Sequence, residues 1–234
     1  GDTIVRLLLV GGSGRVGSMV IPYLKTKHSI RILDIEPPTD STLDFIEGSV
    51  TNPKTVQQAL EGMDTFIYMV MKNPTSEISS VATFEDIVAN HQVNVMGVHL
   101  FLHAANEVGI KRGTYTSTFT VHERTRNHFP SEDEVPLKNP SVYGLTKGLG
   151  EKICQYFCRE HQMAITALRI TGPSTRSQWL ERRTLPKSGP VHIWWTDEED
   201  LANAYLAALS SNHPGFEAFF IAGDEEQKEI NLSK

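Results

Sequence analysis

The stretch Leu7-Leu8-Leu9-Val10-Gly11-Gly12-Ser13-Gly14-Arg15-Val16-Gly17 decides how this 234-residue chain is read. An apolar strand runs into a glycine-rich turn, and a helix follows over Ser18 to Leu24. Gly11, Gly14 and Gly17 are spaced G-x-x-G-x-x-G, and each has a physical task. Gly11 suits a sharp turn off the strand end. Gly14 leaves out a Cβ where a pyrophosphate would approach the backbone. Gly17 lets the helix pack close to the strand. The helix N-terminus then presents N–H groups and a positive dipole end to phosphates. Glycine turns also join strands to helices that bind nothing, so the context decides. Here Asp34 closes the next strand, Ser29-Ile30-Arg31-Ile32-Leu33. It stands about 20 residues beyond the middle glycine, as a dinucleotide-binding fingerprint requires.

Working outward, the composition limits the alternatives. The chain is 39% hydrophobic and 21% charged, which fits one domain, residues 1–234, with a full core. A net charge of −6 leaves no basic footprint for nucleic acid. The longest apolar runs, such as Thr65–Met71, are strand-sized, so neither a membrane partner nor a secretory signal is expected. Cys154 and Cys158 lie four residues apart on one predicted helix, a geometry poorly aimed for a disulfide. Without a nearby histidine pair they make no metal site. Reduced thiols point to the cytoplasm.

Strand and helix patterns alternate along the chain, which predicts an α/β fold, a doubly wound parallel sheet with helices on both faces. Strands are expected at Val5–Val10, Ile30–Leu33, Leu43–Ile46, Thr65–Met71, Gly113–Thr118, Ile165–Ile170 and Phe219–Ala222. Helices are expected at Pro53–Leu60, capped by Thr51 or Asn52, at Phe84–Val108, at Val142–His161 and at Glu198–Ser210. Lys72–Ala82 reads as a loop over the site and His122–Pro140 as a surface loop. Thr171–Val191, rich in Pro, Gly and Arg, reads as a substrate-facing loop, centred on 173–192.

A second signal is Tyr143-Gly144-Leu145-Thr146-Lys147. On a helix Tyr143 and Lys147 share a face, and an ammonium beside a phenol lowers its pKa. A tyrosine so tuned takes a proton from an alcohol as hydride leaves the same carbon. The strand end Thr114-Tyr115-Thr116-Ser117-Thr118 supplies a hydroxyl to orient the reacting oxygen. The blander reading of the pair is an exposed helix couple, and of the strand, ordinary β-propensity.

These motifs, together with Asp64-Thr65-Phe66-Ile67-Tyr68, Asn94-Val95-Met96-Gly97, Leu168-Arg169-Ile170 and Asp200-Leu201-Ala202, resemble the extended short-chain dehydrogenase/reductases, the NAD-dependent epimerase/dehydratase group, over nearly the whole chain. The resemblance implies a Rossmann-type sheet with a very small C-terminal substrate region. It implies Tyr143 as catalytic base, Lys147 as its partner and a hydrogen-bonding group to the nicotinamide ribose, and Thr118, beside Ser117, as the orienting hydroxyl. Asn94 becomes a structural aid to the neighbouring strand. Cofactor contacts are implied for Gly11, Gly14, Arg15, Val16, Gly17, Asp34, Ser49, Val50, Met69, Val70, Met71, Asn94, Tyr143, Lys147 and Ile170. Asp34 favours NAD over NADP, because a carboxylate accepts ribose hydroxyls and repels a 2′-phosphate. Arg15 pulls the other way.

Only 65 residues follow Arg169, too few to bury a nucleotide sugar and enough for a small sugar or sugar acid. Within the family the chain is similar to the compact uronate dehydrogenases, which implies oxidation of a sugar CH–OH with reduction of NAD. Substrate contacts are then expected from Ser117, Thr118, Phe119, Tyr143, Arg176 and Trp195. Arg182 and Arg183 are further candidates for gripping a carboxylate, Trp194 for walling the sugar, and His122 for lining the site. An epimerase or dehydratase that recycles bound NAD, and a dinucleotide-sensing regulator, are the alternatives. A homodimer through the helices at 84–108 and 142–161 is expected from the family.

Overall fold

The computed structural model describes residues 3–72, 82–122, 132–184, 194–224, 230 and 232–234. The first half runs β1 (Arg6–Val10), α1 (Arg15–Leu24), β2 (Ser29–Asp34), β3 (Asp44–Glu47), α2 (Pro53–Leu60) and β4 (Thr65–Tyr68). A long helix follows in three parts: α3 (Phe84–His91), a π-helical segment Gln92–Met96, and α4 (Gly97–Glu107). The second half holds β5 (Arg112–Thr118), a 3₁₀ turn Phe119–Val121, α5 (Val142–His161), β6 (Ala164–Ile170), β7 (Gly172–Ser174), α6 (Arg176–Arg183), β8 (Trp195–Asp197), α7 (Glu198–Ser210) and β9 (Phe216–Ile221).

Seven strands form one parallel sheet in the order β3-β2-β1-β4-β5-β6-β9. This is the doubly wound Rossmann arrangement. The chain builds outward from β1 to β3, then returns to β4 on the other side. Connections therefore diverge above the C-terminal ends of β1 and β4, and a crevice opens there.

Alternation along β1 explains why both sheet faces are covered. Leu8 and Val10 enter a core with Val56 and Leu60 of α2, Phe101 and Leu102 of α4, and Phe157 of α5. Leu7 and Leu9 point the other way, against Val20 and Leu24 of α1 and Leu201 and Tyr205 of α7. These four side chains of β1 are fully buried. Burial of each leucine contributes about 1.5–3 kcal/mol, so β1 anchors the sheet from both sides.

Two expectations are corrected. The helix over 84–108 contains the π segment, whose wider turn brings Asn94 inward. Asn94 Nδ2 donates to Thr146 Oγ1 of α5 (3.1 Å), and its Oδ1 accepts from Lys72 N beyond β4 (3.3 Å). The widened turn also leaves the Val93 carbonyl to accept from the Tyr68 hydroxyl (3.2 Å). The segment 171–191 is no simple loop, since β7 pairs with β8 and α6 follows. Thr175 starts α6 with a reciprocal capping box. Its hydroxyl accepts from Gln178 N, and Gln178 Oε1 accepts from Thr175 N. The expected loop residues 73–81, 123–131 and 185–192 lie outside the described residues.

Candidate active site

The crevice above β1 and β4 has a volume of about 630 Å³. Gly11, Gly14, Arg15 and Val16 line it from the turn after β1 and the start of α1. Asp34, Ser49 and Val50 line it from the ends of β2 and β3, and Met69, Val70 and Met71 from the end of β4. Thr118, Phe119, Tyr143 and Ile170 close the far end. Leu33, Ile35, Gly48, Lys72, Val93, Thr120, Thr171, Gly172 and Pro173 also line it and were not singled out as contacts, while Trp194, expected as a wall for the sugar, lines it too. Most of these neighbour an expected residue at a strand end. Lys72 follows Met71 and Val93 precedes Asn94, so these two also adjoin expected residues.

The phosphate end is shaped by backbone. Gly11 has φ +81°, which a side chain would strain. A Cβ at Gly17 would sit 2.0 Å from the Gly12 carbonyl oxygen, so α1 could not pack as it does. Gly17 itself does not line the crevice; its contribution is this close approach. At Gly14, by contrast, a Cβ would touch only the Gly11 oxygen at 3.4 Å. Glycine there keeps the crevice floor clear rather than satisfying the protein's own packing. Helix α1 begins without a side-chain cap and without an acid in its first turn. The Ser13 hydroxyl is buried and has no hydrogen-bond partner in the structure. Free helix donors, an orphaned hydroxyl and an open glycine fit the phosphates of a dinucleotide.

Asp34 is already oriented. Its Oδ2 accepts from Ser13 N (3.0 Å) and its Oδ1 from Glu36 N (3.2 Å). Arg15 spans the crevice mouth, donating from Nη2 to the Pro173 carbonyl (2.8 Å). It is thus engaged with β7 and not turned toward Asp34.

Helix α5 carries Tyr143 into the far end. Ser141 caps it, accepting from Gly144 N (2.9 Å). The Tyr143 hydroxyl donates to Met71 Sδ (3.7 Å), and Thr118 lines the same end of the crevice. Burial pushes the phenol up to about 12, with the neighbouring Thr118 side chain acting against the rise. Thr118 Oγ1 is held in turn by the Thr120 backbone N–H (3.1 Å). Phe119 and Trp194 meet edge to face beside it, their ring centroids 4.8 Å apart.

Several of the expected residues do not line the crevice. Lys147 does not line the crevice and does not lower the tyrosine pKa. Its ammonium is fully buried, donates to the Thr116 carbonyl (2.6 Å) and stands 4.5 Å from the Tyr115 ring centroid. A buried cation must find an acceptor, and the β5 carbonyl is the one in reach. Burial pushes its pKa down to about 8, with Glu151 opposing. Ser117 faces away from the crevice, donating to Glu151 Oε2 (2.9 Å). Neighbours on a strand point to opposite faces, so Thr118 and Ser117 could not both enter. Asn94 serves the π segment instead of the crevice. Arg176 pairs with Asp197 (2.7 Å), and Arg182 donates to Ser174 Oγ (2.8 Å) and lies over the Trp195 ring. Trp195 packs against Gly172, and its neighbour Trp194 faces the crevice. The Arg183 side chain lies outside what is described. His122 is buried and outside the crevice lining. Among the described residues no cluster of ligands suits a metal ion. Cys154 and Cys158 are free thiols. No helix among the described residues is long and apolar enough to cross a membrane.

Glycine cradle, open helix end and oriented acid define a dinucleotide-binding protein of the Rossmann type. The model of the NAD dependent epimerase/dehydratase family matches residues 7–222, and the chain belongs to that family. NAD is therefore its cofactor. The chain is 27% identical over 241 residues to the uncharacterized protein y4nG of Sinorhizobium fredii, covering 96% of this chain and 58% of that protein. It is 26% identical over 248 residues to an NAD-dependent glucose-6-phosphate dehydrogenase of Haloferax volcanii, covering 97% and 88% respectively. A glucuronic acid dehydrogenase from Chromohalobacter salexigens shares the fold, with a TM-score of 0.80, 20% identity, and coverage of 99% of this chain and 81% of that one.

Proposed function

We propose that the protein oxidises a CH–OH group of a small sugar or sugar acid, with hydride passing to NAD and the hydroxyl proton to Tyr143. The observation that carries this reading is that Tyr143 and Thr118 line the end of the same crevice that the glycine turn opens. Relatives named for a sugar phosphate and a sugar acid support the substrate class.

When bound, NAD supplies the hydride acceptor. The chain supplies the rest. Gly11, Gly14 and the start of α1 would hold the phosphates, and Asp34 would accept from the ribose hydroxyls. Phe119 and Trp194 offer an aromatic wall to the C–H face of a sugar ring. Thr118 orients the reacting oxygen, and Tyr143 takes its proton. Because the phenol is held near 12, the basic form grows as pH rises, and oxidation should accelerate between pH 7 and pH 10.

Reduced thiols suit a cytoplasmic protein. Phe84, Ile87 and Val88, with His91 and Val95 at continuing helical spacing, run along the α3 side, and Met96 and Tyr156 are also exposed. That apolar stripe supports a homodimer built on the long helices.

The test is NADH absorbance with NAD and, in turn, glucuronate, galacturonate and the corresponding neutral sugars. Turnover is expected, rising with pH, and Tyr143→Phe should lower kcat by roughly 100-fold or more while NADH binding is kept. Interconversion of sugars with no net NADH, and cofactor that survives purification, would replace this reading with epimerase chemistry.

A further inference from the structure

Behind the Phe119 wall lies a buried charged cluster that the proposed chemistry does not use. Glu151 stands on α5, about two turns beyond Tyr143. Arg169 stands on β6, and both side chains are 0% exposed. The guanidinium donates to Glu151 from Nε (3.2 Å) and Nη2 (3.0 Å), and Nη2 also donates to the Glu134 carbonyl (2.6 Å). Its Nη1 lies 3.0 Å from His122 Nε2. The His122 ring packs against Phe119, centroids 5.3 Å apart, and the His122 carbonyl accepts from Asn139 Nδ2 (3.0 Å). Asn139 Oδ1 then accepts from Ser141 N (2.9 Å) and from the Ser141 hydroxyl (2.6 Å). That hydroxyl caps α5 two residues before Tyr143.

The path is a closed ring. It leaves α5 at Glu151, crosses β6 at Arg169, passes through His122 and Asn139, and returns to α5 at Ser141. Folding alone does not demand charges here, because burying an ion pair strips both groups of water, and apolar pairs of similar volume often replace such pairs without loss of stability. What an apolar pair lacks is direction. A guanidinium fork fixes the orientation of everything it donates to.

We infer that the Arg169–Glu151 pair is a positioning device for the reaction: through His122 and Asn139 it sets the first turn of α5 and the Phe119 wall, and so the place of the Tyr143 hydroxyl beside Thr118. Its bearing on turnover rests on the reading of Tyr143 given above; its effect on the geometry of Tyr143 does not.

The experiment uses the full chain carrying the double substitution Glu151→Leu/Arg169→Met, and separately Arg169→Lys. Each is made with the natural residue 143 and again with 3-fluorotyrosine at that position. The double variant should fold with Tm within about 5 °C of the parent. Its KM for NAD should stay within about threefold, while kcat falls by roughly 100-fold, the size expected from a misplaced reacting group. The ¹⁹F resonance of residue 143 should shift or split. Arg169→Lys, which keeps the charge and loses the fork, should show the same loss of kcat at unchanged KM, and it decides the matter if the double variant does not fold. Native kcat with a single parent-like ¹⁹F resonance would reduce the pair to packing and overturn the inference. If the parent turns over none of the sugars, the proposed function fails, and the ¹⁹F spectra alone still decide whether the pair positions Tyr143.

Discussion

The α1 end of the crevice and the α6 region beside it are built by different means. At the α1 end, the geometry comes from consecutive backbone: a positive φ at Gly11, the contact of Gly17 with Gly12, and a helix left open to the ligand. In the α6 region, it comes from side chains distant in sequence. Arg176 reaches Asp197, Arg182 reaches Ser174 and Trp195, and Arg15 crosses from α1 to Pro173. The difference teaches that charges near a site need not serve its ligand. The arginines that looked suited to a carboxylate hold β7, α6 and β8 together.

The contrast can be broken most severely at Gly17. Gly17→Ala places a methyl against the Gly12 carbonyl, and α1 must move away from the turn. A loss of about 1–3 kcal/mol in stability is expected, by overpacking. NADH affinity should fall by roughly tenfold or more, since the phosphate donors move with the helix. Urea denaturation and NADH fluorescence measure the two. A variant that binds NADH like the parent would mean that the α1 end is not set by its backbone.

Lys147, buried outside the crevice lining, gives an intermediate effect. Its native pKa is pushed down to about 8, against about 10.4 for an unperturbed lysine. Below pH 8 both folded and unfolded chains keep the proton. Between pH 8 and pH 10 the native state releases it and the unfolded chain retains it, so stability rises with pH across that window. Relative to Lys147→Met, the parent should gain on the order of 2–3 kcal/mol from pH 7 to pH 10. Denaturation at pH 7, 8.5 and 10 checks this, and the difference between the two proteins cancels the tyrosines common to both. Parallel curves would show that the amine is not buried.

The smallest effect is expected at Arg176. It is 54% exposed, so its pair with Asp197 is screened by solvent. Arg176→Ala should cost under about 1 kcal/mol. KM for uronates should change by less than about threefold, as for a charge that does not touch the ligand. A tenfold rise confined to acid substrates would return Arg176 to the ligand and erase the contrast.

Much of the fold was legible because its signals are local. The bounds expected for α2, α5 and α7 match the structure, and the strands differ by a few residues at their ends. Helix α6 was missed although Thr175 and Gln178 carry its capping box, because the surrounding prolines and glycines dominated the reading. The π segment has no local signal. It exists where Asn94 must reach both Thr146 and Lys72. Adjacent residues were the hardest to separate. Thr118 or Ser117, and Trp194 or Trp195, are equally suited by type, and the local path of the chain decides which faces the crevice.

By itself, then, the sequence determined the doubly wound sheet, the glycine turn, the acid at Asp34 and the tyrosine helix. Each follows from backbone preference or hydrophobic period within a short window. Only the tertiary structure decided that Lys147 binds Thr116, that Ser117 joins the Glu151–Arg169 cluster, and that Arg176 belongs to Asp197. Buried or partly buried charges go to whichever opposite charge or carbonyl folding brings within hydrogen-bond reach. That distance is set by packing between strands and helices far apart along the chain.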